Sequence, residues 1–134
     1  MASARSSNTE PSGLRVLVVD GHADAADRLA LLLCLWGHDV RQASSGPMAL
    51  AVARTFRPNV VLSEIRLPEI DGYDLARCLQ AELRDVVLIA VTTCGQQADR
   101  LRASQAGFGH HFVKPADPSD IHDLLEIVSR RRRR

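Results

Sequence analysis

Apolar residues fall along this chain in short unbroken runs that alternate with longer stretches of helical spacing. The first run, residues 14–19, closes at Asp20, and Gly21 then allows a tight turn. Such a run is too short for a helix and suits a strand buried on both faces. From Ala23 the period lengthens, and Ala25, Leu29, Leu32, Leu33 and Trp36 fall on one helical face. Asp24 lies in that helix's first turn, where it favours the dipole, and Gly37 supplies a stop. Residues 38–43 predict a second strand. Pro47, in the first turn, opens a helix with Ala49, Val52, Ala53 and Phe56 on its apolar face. Pro58-Asn59 breaks into a third strand that begins Val60-Val61-Leu62, and Asp71-Gly72 turns into a helix over 73–82. Residues 86–91 are almost purely apolar and end at Thr92-Thr93. A poorly amphipathic helix over 96–106 offers Ala98, Leu101 and Ala106, with Gly107 as its cap. The fifth strand, 110–114, ends at Pro115, and Ile121, Leu124, Leu125 and Val128 stripe the last helix.

Five strands alternating with five helices imply right-handed crossovers and a parallel sheet covered on both faces, an α/β fold. The 134 residues suit one domain, with its body over 14–129. Residues 1–13 read as a small, polar, disordered lead-in without the apolar segment of a secretory signal. No apolar run approaches the length of a membrane span, so no membrane partner is expected. The net charge of +1 conceals a split: without the five arginines at 130–134, twelve cations face sixteen acids, about −4. A body of that charge is disfavoured as a broad nucleic-acid binder. The arginine run reads as a solvated tail, as a linker, or as the one stretch suited to nucleic acid or anionic lipid. Cys34, Cys78 and Cys94 are odd in number and widely spaced, with no CxxC. They read as buried free thiols in a reducing, cytoplasmic compartment.

Asp20, Glu64, Thr92 and Lys114 stand where the first, third, fourth and fifth strands end. Ligands of open parallel sheets gather beyond the carboxyl ends of the strands. Phosphoryl transfer to a carboxylate needs an acid nucleophile, a cation held by neighbouring acids, a hydroxyl and a fixed positive charge. Lys114 is the only lysine among seventeen cationic residues, and a compact ammonium is not interchangeable with a guanidinium. In the plainer alternative, Glu64 is a strand-end carboxylate neutralised by Lys114.

The stretch 60–73, VVLSEIRLPEIDGY, together with Asp20, Thr92 and Lys114-Pro115, resembles the response-regulator receiver domain of two-component signalling. The resemblance covers roughly residues 14–128. It implies a flavodoxin-like (βα)5 fold with strand order 2-1-3-4-5. It also implies a metal-binding acid at Asp20, a phosphoacceptor position at Glu64 and a hydroxyl at Thr92. His111 takes the switch position, and Lys114-Pro115 the cis pair. Two departures strike the reaction. Gly21 stands where a second metal-binding acid belongs, and Glu64 where the family has aspartate. Mg²⁺ demands near-octahedral oxygen coordination, and an added methylene crowds the near-attack geometry. The expectation is a pseudo-receiver that is not an enzyme and holds no cofactor, with Glu64 reaching Lys114 and Thr92 to bias an active-like arrangement. The alternative is a Mg²⁺-dependent phosphoacceptor with residual transfer and self-dephosphorylation, and weak Mg²⁺ binding at Asp20 and Glu64.

Implied partners are a histidine kinase or an output protein, with a homodimer through the fourth helix, fifth strand and fifth helix. Arg100, His111 and Phe112 are the expected interaction residues there. His110 and His111, as strand neighbours, face opposite ways and do not make a metal pair. A phosphate-binding flavodoxin relative is disfavoured because no glycine-rich loop follows the first strand.

Overall fold

A computed structural model describes residues 13–132. Its elements alternate as β1 (Arg15–Val19), α1 (Ala23–Leu35), β2 (Asp39–Ala43), α2 (Gly46–Phe56), β3 (Val60–Ser63), α3 (Gly72–Glu82), β4 (Val87–Thr92), α4 (Gln97–Ala106), β5 (His110–Val113) and α5 (Pro118–Arg132). All strands pair in parallel, in the order β2-β1-β3-β4-β5. This is the expected flavodoxin-like order. The lead-in expected over 1–13 lies outside the described residues, except for Gly13.

The three inner strands bury both faces, so their alternation sorts side chains into two cores. Val16, Val18, Leu62 and Ile89 face one layer, which α1 and α5 cover with Ala26, Leu33, Ile121 and Leu125. Leu17, Val19, Val61 and Leu88 face the other, covered by α2, α3 and α4 with Ala49, Leu75, Leu79 and Ala103. The first helix is rotated from its expected face. Ala26, Ala30 and Leu33 form its buried centre, while Ala25, Leu29, Leu32 and Trp36 flank it half-buried. Small alanines let the helix lie close to the sheet, and the larger residues wedge at its sides.

Three further expectations need correction. Cys34 and Cys78 are exposed and Cys94 is half-buried, so the two helical thiols lie outside the core. In α4 the inward residues are Ala103 and Ala106, whereas Ala98 and Leu101 face solvent. The arginine run is not wholly a tail: Arg130, Arg131 and Arg132 form the last turn of α5. Cations there complement the negative end of the helix dipole, and arginine is a good helix former.

The loop after β3 is held tightly against the start of α3. The Gly72 N–H donates to the Ile65 carbonyl at 2.7 Å. A Cβ at Gly72 would stand 2.7 Å from the Glu64 carbonyl oxygen, closer than real contacts allow. Asp71 caps the same helix by accepting from the Asp74 N–H at 3.0 Å. Glu64 is thus fixed between a buried strand and a clamped turn.

Candidate functional site

Backbone hydrogen bonds stitch the strand ends into one edge. The Asp20 N–H donates to the Ala43 carbonyl at 3.1 Å, the Glu64 N–H to Val19 at 2.8 Å and the Lys114 N–H to Thr92 at 2.8 Å. Asp20 and Glu64 are buried carboxylates, and Lys114 meets both: its Nζ lies 2.8 Å from Asp20 Oδ2 and 3.1 Å from Glu64 Oε1. Burial opposes the lysine's charge, yet the hydrogen bonds to Asp20 and Glu64 outweigh it and raise the Lys114 pKa above its usual value. The remaining oxygens are also engaged. Asp20 Oδ1 accepts from the His22 N–H at 2.9 Å. Glu64 Oε2 accepts from the Ile65 and Arg66 N–H groups at 2.6 and 3.2 Å. The Lys114–Pro115 peptide bond is cis.

Thr92 and His111 are drawn elsewhere. Thr92, fully buried, accepts at Oγ1 from the Cys94 N–H at 3.1 Å, and no hydrogen bond joins it to Glu64 among the described residues. The expected Glu64–Thr92 contact is therefore replaced by a bond within the loop after β4. His111 is half-buried, and its Nε2 donates to the Cys94 carbonyl at 2.8 Å. Arg66 Nε reaches the Cys94 sulfur at 3.3 Å. Cys94 thus joins β4, β5 and the loop after β3, a role that helical or strand periodicity gives no means of finding. Ser63, whose Oγ donates to the Glu64 carbonyl at 2.8 Å, went unnoticed for the same reason.

At this edge the Lys114 ammonium stands between the two carboxylates, and Gly21 brings no side chain that could give a cation a further ligand. Space is not the obstacle at Gly21. A Cβ there would meet only the Ser44 carbonyl oxygen at 3.7 Å and Pro68 Cδ at 3.8 Å, ordinary contacts.

A second surface forms on α4, β5 and α5. Arg100 is exposed, and so are Leu101 (60%), Val113 (36%) and Ile127 (41%), one large apolar residue from each element. Strand alternation puts Val113 beside His111. Phe112 points the other way and packs against the core beneath α1 and α5, so it does not belong to this face.

Comparison with known proteins accords with this geometry. The family model of the response regulator receiver domain matches residues 16–126. The chain belongs to that family. The receiver domain is 33% identical over 117 residues to the probable transcriptional regulator ycf27 of Pyropia yezoensis, covering 87% of this chain and 48% of that protein. It is also 33% identical over 116 residues to protein PilH of Pseudomonas aeruginosa, covering 85% of this chain and 96% of PilH. The chain therefore spans about half the length of ycf27-type relatives and nearly all of PilH. Among solved structures, a CheY-like receiver domain protein from Methanospirillum hungatei superposes with a TM-score of 0.80 at 24% identity. That match covers 89% of this chain and 98% of the other, and shows the shared fold. No helix among the described residues is long and apolar enough to cross a membrane.

Proposed function

We propose that this receiver domain works without phosphorylation and passes its signal through protein–protein contact. The supporting observation is the placement of Glu64. Its carboxylate takes the Lys114 ammonium and the two N–H groups of the following loop, donors of the kind that would stabilise phosphoryl oxygens. With those donors satisfied and Mg²⁺ disfavoured by Gly21, neither transfer to the site nor self-dephosphorylation is expected. The chain is on this view not an enzyme and needs no cofactor. Its partners are a histidine kinase or an output protein, or a second copy, in the cytoplasm, met through α4, β5 and α5. Arg100, His111, Leu101, Val113 and Ile127 supply the contact.

Amide spectra recorded with beryllofluoride and Mg²⁺ test this. The unmodified chain is expected to show no shifts at Glu64, Thr92 or His111, whereas Glu64→Ala alone is expected to perturb all three. Saturable beryllofluoride shifts in the unmodified chain would reinstate the Mg²⁺-dependent phosphoacceptor.

A further inference from the structure

Between α1 and the connection from β5 to α5 the surface opens into a cleft of about 360 Å³, inside the roughly 300–1,000 Å³ typical of small-molecule sites. Its rims are short side chains, Ala25 on one side and Ala116 with Pro118 on the other, so the neighbouring helices do not fill it. Leu29 and Leu32 make one wall, and Val18, Leu62 and Val91 from three adjacent strands make the floor. Trp36 and His122 touch with ring centroids 4.7 Å apart, joining α1 to α5 one turn further along. That contact favours a compact occupant over a through-going peptide helix.

Four charged side chains also line the cleft, Asp20, Glu64, Lys114 and Arg28. The first three satisfy one another, as described above. Arg28 is exposed at the rim and has no ion pair or hydrogen bond to another described side chain. An apolar cleft with one unengaged guanidinium at its mouth fits an occupant with an apolar body and an anionic head. We infer that the cleft binds small amphipathic carboxylates, aromatic or medium-chain, with the body on Leu29, Leu32 and Val91 and the carboxylate on Arg28. The proposed ligand contacts, Leu29, Leu32, Val91 and Arg28, do not include the Glu64 carboxylate, so the test on the unphosphorylated chain can fail or succeed whether or not Glu64 can accept a phosphoryl group.

Titration of the full chain with naphthalene-1-carboxylate, followed by amide shifts, tests the inference. Saturable shifts are expected at Val18, Val91 and Ala116, with a Kd on the order of 100 µM, reasonable for a ligand of ~13 non-hydrogen atoms. Arg28→Gln, an exposed change that leaves packing intact, is expected to weaken binding about tenfold, and so is the uncharged naphthalene-1-carboxamide in place of the acid. Ala116→Leu is expected to fill the cleft and abolish binding while the thermal midpoint holds. If that variant does not fold, the Arg28 and carboxamide comparisons still decide. Absence of saturable shifts up to the probe's solubility would overturn the inference. So would equal affinity of acid and amide, indifference to Arg28→Gln, or shifts centred on the exposed Leu31 and Leu35 of α1.

Discussion

Two buried carboxylates share one ammonium at the strand ends, and this sets what single substitutions do there. Lys114→Ala would leave Asp20 and Glu64 facing each other uncompensated. Breaking a buried pair costs ~3–5 kcal/mol, and because the Lys114 side chain is 26% exposed a loss near the lower figure, about 3 kcal/mol, is expected from urea unfolding. Glu64→Gln keeps a carbonyl acceptor for the Ile65 and Arg66 N–H groups and should cost less than half as much; an equal cost would mean that the charge pair is not what Lys114 supplies. At Gly21 the open space around the missing side chain means that Gly21→Asp should fold normally. That Asp20, Glu64 and Lys114 end strands was legible in the sequence because strand ends are marked by the change of hydrophobic period, while the strand order that brings those ends together followed only from the family resemblance. Where Thr92 and His111 point was not legible. Both bond to Cys94, and such choices are made by rotamers and loop geometry, which leave no periodic trace.

At the α1–β2 elbow a buried histidine adds a pH dependence. His38 Nδ1 accepts from the Leu14 N–H at 3.0 Å, fixing the neutral ring between β1 and α5. Burial lowers its pKa from the ordinary 6.5; the charge of Glu126 opposes the shift and His122 reinforces it. The unfolded chain therefore takes up this proton first as the pH falls. Stability should be full above about pH 7 and decline as pH drops through ~6.5. Urea midpoints at pH 7.5 and 5.5 check this, and His38→Gln, which keeps an acceptor for Leu14, should flatten the difference except for the part owed to His110. The pKa of His110 is lowered by burial and by nearby Arg131. An unchanged slope in His38→Gln would rule His38 out as the source. Helix and strand positions were legible to within a residue or two because each element carries its own period. The burial of individual residues was less so. The weak stripe of α4, with Ala98, Leu101 and Ala106 as its apolar residues, did not say which side is inward, and the α1 face was misplaced, since alanines can approach the sheet more closely than leucines.

Across the whole molecule, the strand-end site and the α4–β5–α5 face are joined through β5, which carries His111 and Val113 and leads directly into Lys114. If partners use this face, Leu101→Glu with Ile127→Glu should weaken self-association or partner capture at least tenfold, at a cost to stability within about 0.5 kcal/mol because both residues are exposed. Cross-links that map instead to Arg54 on α2 would place the contact near the opposite edge of the sheet, beside β2. Whether the chain is a receiver that has left phosphoryl chemistry behind is decided by incorporation itself. The unmodified chain and the double variant Gly21→Asp, Glu64→Asp are incubated side by side with acetyl phosphate and Mg²⁺, and their intact masses compared. The expected result is no added phosphoryl group on the unmodified chain and measurable incorporation on the double variant, whose acids restore both the metal anchor and the shorter nucleophile. Stoichiometric phosphorylation of the unmodified chain at Glu64 would contradict the phosphorylation-independent role outright.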